Sequence, residues 1–156
     1  QMPGGGYRNP TSQETLKMRK REDGNIRSDE HGAMDGAAVF NFSITDVPLD
    51  IKKSVERAQV TFDEFDFFIF HQPNKFITDH FTKKLKIPRD KVIYSLHKFG
   101  NTASVSIPLT IVSELNPQLN GTRQKKILMS GFGVGLSWGT LVTELDNCPI
   151  CELLEI

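Results

Sequence analysis

Apolar residues along this chain fall into spaced stripes and solid runs. Over residues 37–58, Val39, Phe40, Ile44, Val47, Ile51 and Val55 recur at three- and four-residue steps, which predicts a helix that Pro48 kinks or divides. Phe67-Phe68-Ile69-Phe70 is a continuous apolar run of strand length, as expected for a strand covered on both faces. Phe76, Ile77, Phe81 and Leu85 give a second helical stripe that Pro88 ends. Val92, Ile93 and Tyr94 mark a strand over residues 91–96. Ser104, Ile107, Ile111 and Leu115 lie on related faces of a third helix over residues 102–115, whose first turn Pro108 kinks or breaks. Strands over residues 126–130 and 137–145 follow, separated by Gly131-Phe132-Gly133-Val134-Gly135.

The order helix, strand, helix, strand, helix, strand, strand argues for an α/β fold, a mixed sheet layered with helices. Thr61 followed by Glu64 is a capping-box pattern that opens a short turn. Residues 1–35 read as an irregular, charged surface segment. Gly4-Gly5-Gly6, Asn9-Pro10, Asp23-Gly24 and Asp35-Gly36 are turn signals, and Lys17-Met18-Arg19-Lys20-Arg21 runs straight into Glu22-Asp23. Residues 36–147 hold the layered domain and 148–156 an acidic tail.

Length and composition narrow the class. A chain of 156 residues with 38% hydrophobic residues and 12 glycines folds as one domain or one domain plus a loose segment, and is neither disordered nor collagen-like. No stretch approaches the roughly 18 apolar residues of a membrane helix. The start, Gln1-Met2-Pro3-Gly4-Gly5-Gly6, lacks the order of a secretory signal, and two late cysteines make no disulfide scaffold. The expectation is a cytoplasmic protein with no membrane partner. Net charge is zero, with 19 basic and 19 acidic residues, which discourages nucleic-acid binding. The charges are nevertheless segregated. From His71 to Lys126, Lys75, Lys83, Lys84, Lys86, Arg89, Lys91, Lys98, Arg123, Lys125 and Lys126 face only Asp79, Asp90 and Glu114. That basic stretch is either a solvated face or a surface for an anionic partner.

Three segments have the composition for chemistry. His71-Gln72-Pro73-Asn74 follows the Phe67–Phe70 strand, where ligands of α/β sheets bind, although a lone histidine is more often structural. Gly100-Asn101-Thr102 opens a helix, where asparagine is most often a cap; its amide can also donate to a developing oxyanion. Gly131 to Gly139 superficially suggests a dinucleotide loop. Leu136 and Trp138 stand where the third glycine belongs, and a strand follows instead of a helix, so a tight turn presenting backbone N–H groups fits better. Cys148-Pro149-Ile150-Cys151 has no second pair and no nearby histidine, so no metal is expected; it reads as a surface tail.

Together these segments resemble the C-terminal half of ketoacyl-acyl carrier protein synthase III, a condensing enzyme of the thiolase superfamily. The family's HQAN appears as His71-Gln72-Pro73-Asn74, and its GNTSAASIP as Gly100-Asn101-Thr102-Ala103-Ser104-Val105-Ser106-Ile107-Pro108. Its glycine-rich ending before a W-G pair appears as Gly131 to Gly139, and Met34-Asp35-Gly36 with Val39-Phe40 matches the entry to the preceding helix. Order and spacing agree from about Met34 to Glu144. The resemblance implies the C-terminal half of a thiolase-like fold and a Cys-His-Asn site. Here His71 and Asn101 would be the catalytic pair, both hydrogen-bond donors, so that a neutral histidine suffices. Phe132, Gly133, Val134, Asn74 and Lys75 would line the substrate. The implied reaction joins an acyl group from acyl-CoA to malonyl-acyl carrier protein, with no cofactor beyond the CoA thioester substrate. The implied partners are an N-terminal half carrying the nucleophilic cysteine, acyl-CoA, acyl carrier protein and a second copy in a homodimer.

Pro73 replaces the family's alanine, Phe76 stands where a basic contact for the carrier is usual, and the charged insert at residues 17–30 is longer than usual. Cys148 and Cys151 lie beyond the matched region. The other half's absence predicts an exposed apolar surface. A second reading is a stand-alone, non-catalytic thiolase-half domain that binds CoA or a partner protein.

Overall fold

The computed structural model describes residues 2–121 and 124–154, so Arg123 of the basic stretch and Glu155 of the acidic tail lie outside the described residues. The chain divides into two compact units, residues 1–39 and 40–156.

In the first unit, residues 1–35 contain a two-stranded antiparallel ribbon, β1 (Arg19–Lys20) and β2 (Ile26–Arg27), where an irregular segment was expected. Two-residue strands carry no hydrophobic period to read. Gly24, at φ +81°, turns the ribbon, and the Gly24 N–H donates to Arg21 O at 2.9 Å. The charged run closes on itself: Arg19 and Arg21 both pair with Asp29, and Arg27 with Asp23.

The second unit is built on a four-stranded sheet in the order β4-β3-β5-β6. Strand β3 (Phe67–Phe70) runs parallel to both β4 (Val92–Ile93) and β5 (Lys125–Gly133), while β6 (Ser137–Leu145) is antiparallel to β5. Phe68, Ile69 and Phe70 are fully buried, as the solid apolar run requires. Phe68 and Phe70 pack with Val47, Ile51 and Val55 of helix α1 (Gly36–Arg57) and with Ile77 and Phe81 of helix α2 (Lys75–Lys84). Ile69 joins Ile127, Leu115 and Leu119 on the opposite face. The sheet is thus layered between helices, the α/β architecture the pattern predicts.

Pro48 does not divide α1. A proline lacks the N–H that would bond the carbonyl four residues back, which is Ile44 O. Lys84 of α2 supplies the missing donor, its Nζ lying 3.0 Å from that oxygen. The strand around Val92 is shorter than residues 91–96 because a short turn precedes it and Ser95 already engages Thr110. The expected third helix also changes. After the four-residue helix α3 (Leu96–Phe99), it consists of α4 (Ser106–Thr110), a wide π-type turn (Ile111–Leu115) and α5 (Asn116–Leu119). The wide turn falls just before Pro117, where the regular ladder loses a donor. Burial of Leu119 beside Leu115 carries the helix past its predicted end.

The Cys148–Cys151 stretch lies at the surface, as expected, and is also anchored. Asn116 Nδ2 donates to Ile150 O at 3.1 Å and Cys151 O at 2.7 Å, and Ile150 packs onto the Ile69 cluster. Both thiols are free.

Candidate active site

The carboxyl end of β3 places His71. Its N–H donates to Ser130 O at 2.9 Å, extending the β3–β5 pairing one residue beyond the strand. Gln72, 1% exposed, ties the neighbouring strands together, Nε2 donating to Phe70 O at 3.0 Å and Ile93 O at 3.4 Å. Phe132 meets the imidazole edge-on, ring centroids 5.3 Å apart at 87°, and Phe81 stands behind Phe132 at 6.0 Å. Burial among these rings pushes the His71 pKa below the ordinary histidine value, while the Ala103 carbonyl opposes that shift. Among these aromatic walls the neutral ring is favoured.

Asn101 is placed by backbone conformation. Gly100 ends α3 at φ +66°, a region that favours glycine, and Ala103 sits at φ +51°. Between them Asn101 Oδ1 accepts from the Ala103 N–H at 3.0 Å. That bond takes the amide oxygen and leaves Nδ2, a two-hydrogen donor, on an exposed side chain. The helix-cap expectation for Asn101 is met only in part, because its bond turns the loop ahead of the helix.

Ala103 joins the two motifs. Its N–H holds Asn101, and its carbonyl accepts from Ser106 Oγ at 2.9 Å; that same hydroxyl lies 2.8 Å from His71 Nδ1. Residues 30 positions apart are thereby linked through one residue, Ala103, and one hydroxyl. Ser106, 1% exposed, has no distinguishing residue type at sequence level. A signal was present in its spacing, three residues after Ala103 at the opening of a helix, where serine bonds backwards.

The remaining expected site residues have other attachments. Asn74 caps α2, Oδ1 accepting from the Ile77 N–H at 2.9 Å. Lys75 pairs with Asp79 at 2.6 Å and lies over the Tyr94 ring, 5.2 Å from its centroid. The glycine-rich segment is strand up to Gly133, which pairs with Ser137, so the tight turn is confined to Val134–Gly135–Leu136. A turn starting at Gly131 is therefore corrected: inward packing of Phe132 keeps the segment in the sheet. Val134 is 92% exposed at the tip.

Among the described residues, four lysines of the basic stretch are ion-paired in place. Lys98 pairs with Glu114, Lys125 with Asp66, and Lys126 with Glu64, while Lys91 Nζ donates to Asp63 O. Among the described residues Lys83 and Lys86 have no ion pair. Among the described residues, too, no group of three or more His, Cys, Asp or Glu side chains could hold a metal, and no helix is long and apolar enough to cross a membrane.

Comparison with known proteins gives this geometry its context. The chain is 43% identical over 116 residues to a beta-ketoacyl-[acyl-carrier-protein] synthase III from Streptococcus gordonii, covering 72% of this chain and 35% of that protein. A solved structure of a 3-oxoacyl-(acyl-carrier-protein) synthase III superposes with a TM-score of 0.79 at 33% identity, covering 90% of this chain and 42% of that one. A 3-oxoacyl-(acyl-carrier protein) synthase from Burkholderia xenovorans superposes with a TM-score of 0.75 at 35% identity, covering 81% and 36%. The chain thus spans about a third of the length of the relatives it matches, and its fold is thiolase-like. Residues 55–145 match the family model described as 3-oxoacyl-[acyl-carrier-protein (ACP)] synthase III C terminal, and the chain belongs to that family.

Proposed function

We propose that this chain is the C-terminal portion of a condensing acyltransferase and supplies His71 and Asn101 to a Cys-His-Asn site. The cysteine belongs to an N-terminal half. An acyl-CoA would acylate that cysteine, releasing CoA, and malonyl-acyl carrier protein would then bind with its thioester carbonyl toward His71 and Asn101. As the carbon–carbon bond to the carboxylate breaks, carbon dioxide leaves and the electron pair moves onto the thioester oxygen as an enolate. Hydrogen bonds from Asn101 Nδ2 and His71 Nε2 would hold that charge. The enolate carbon attacks the acyl-cysteine carbonyl, forming the new carbon–carbon bond and expelling the thiolate.

The observation that carries this reading is the Ala103 link, which holds Asn101 with its amide N–H groups free and His71 with Nδ1 engaged and Nε2 available. The exposed Val134, Leu136, Trp138 and Leu141 along the β5–β6 hairpin support an apolar contact with further protein. The test joins this chain to its N-terminal half and follows two steps separately. His71→Ala and Asn101→Ala are expected to leave cysteine acylation, read by intact mass, largely unchanged while condensation falls about 10²- to 10³-fold each. Loss of acylation in either variant assigns these residues another role. Stoichiometric acylation of Cys148 or Cys151 in the 156-residue chain alone would overturn the reading.

A further inference from the structure

The sheet supports His71 unevenly. On the β5 side, pairing runs from Phe67↔Ile127 to Phe70↔Ser130, and the His71 N–H continues it onto Ser130 O at 2.9 Å. On the β4 side, pairing stops at Ile69↔Ile93, because β4 ends there and Ser95 already engages Thr110. The backbone of β3 thus loses its partner on one flank two residues before the imidazole.

The Gln72 side chain fills that flank. Its Nε2 carries two hydrogens, so one planar group can give a hydrogen to each of two carbonyls. Those carbonyls are Phe70 O at 3.0 Å and Ile93 O at 3.4 Å, one on each strand. Gln72 is 1% exposed, so an N–H without its acceptor would be a buried, unsatisfied donor. Its backbone N–H donates to Ser106 Oγ at 3.4 Å, and that hydroxyl lies 2.8 Å from His71 Nδ1. None of these three Gln72 bonds involves His71 Nε2, which stays available to donate to the enolate.

We propose that Gln72 is a positioning residue for His71. Its amide extends the β3–β4 contact past the end of β4 and holds the peptide that follows the histidine, so that the imidazole keeps its direction. This deepens the condensing-enzyme reading and rests on it for its catalytic meaning. The residue type follows from the contacts. Glutamate would turn oxygen lone pairs toward two carbonyls, asparagine is one methylene short, and methionine keeps the length without a hydrogen to give.

The first test needs no variant. In the native 156-residue chain, hydrogen exchange of the Gln72 side-chain amide is followed by NMR, with exposed Gln13 and Gln59 as references. Exchange slowed about tenfold or more is expected, and exchange at the reference rate would overturn the proposal. The second test uses the joined enzyme, already acylated on its cysteine. Gln72→Met is expected to slow carbon dioxide release from malonyl-acyl carrier protein about 10²-fold, with KM and the acylation rate unchanged. In a His71→Ala background the same substitution should cost about twofold or less, because the group it positions is gone. Native release in Gln72→Met, an equal loss in both backgrounds, or a parallel loss of acylation would each overturn the positioning role. If Gln72→Met does not fold, the exchange measurement decides. Carbon dioxide release at the native rate in His71→Ala would sink the condensing reading and leave the exchange result standing.

Discussion

His71 and Asn101 stand on either side of one residue, Ala103, yet the chain fixes them by opposite means. The histidine follows three fully buried strand residues, walled by Phe132 with Phe81 behind it, and its place follows from core packing. The asparagine lies on an exposed loop, and its place follows from two backbone conformations at Gly100 and Ala103. A site built this way has one rigid member and one held by local geometry. Damage to the core should therefore reach the histidine first, and changes to loop conformation the asparagine.

The largest expected effect lies on the histidine side. Phe81 is fully buried, 4.8 Å from the Phe70 ring and 6.0 Å from Phe132. Phe81→Ala should lower stability by about 3–5 kcal/mol, read as the urea midpoint multiplied by its slope. Val105→Ala, on the 54% exposed loop side, should stay within about 0.5 kcal/mol. Equal losses from the two variants would erase the contrast.

Gly100→Ala is the intermediate case. Its φ of +66° with ψ of −156° lies where a side chain is strained, so alanine should cost about 1–3 kcal/mol or move Asn101. No atom lies within 4 Å of an added Cβ, so the cost is conformational and not a clash. In the joined enzyme this variant should impair condensation and spare acylation. An unchanged rate would show that the loop tolerates another conformation.

The smallest effect is a pH dependence. Burial lowers the His71 pKa in the folded chain relative to the unfolded one, so the unfolded chain binds more protons between the two values. Stability contributed by the neutral ring is present above the unfolded value near 6.5 and declines as the pH falls toward the folded value. Replacing His71 by Gln should flatten that part of the stability profile, measured by urea titration at stepped pH. An identical slope in native and variant chains would place the acid sensitivity elsewhere.

These differences also explain what the sequence made legible. Strand β3 and the strand over residues 137–145 were readable because an apolar run and a turn signal bound each of them. His71 and Asn101 stood out as candidates because strand ends and helix openings are places where function collects, and because their neighbours match a known family. Long-range compensation was not readable. Nothing local shows that Lys84 completes the carbonyl left open by Pro48, or that ion pairs and carbonyl contacts 16 or more positions apart occupy much of the basic stretch. Ser106 was missed for a similar reason: its partner is 35 positions away, and serine at a helix opening has an ordinary local explanation.

The central claim is that this chain contributes the decarboxylating half of the site. Its most direct test is a single-turnover measurement on the joined enzyme, already acylated on its cysteine and mixed with labelled malonyl-acyl carrier protein. Carbon dioxide release should be about 10²- to 10³-fold slower in the Asn101→Ala and His71→Ala variants than in the native enzyme, with the acyl group still on the cysteine. Release at the native rate from either variant would contradict the account.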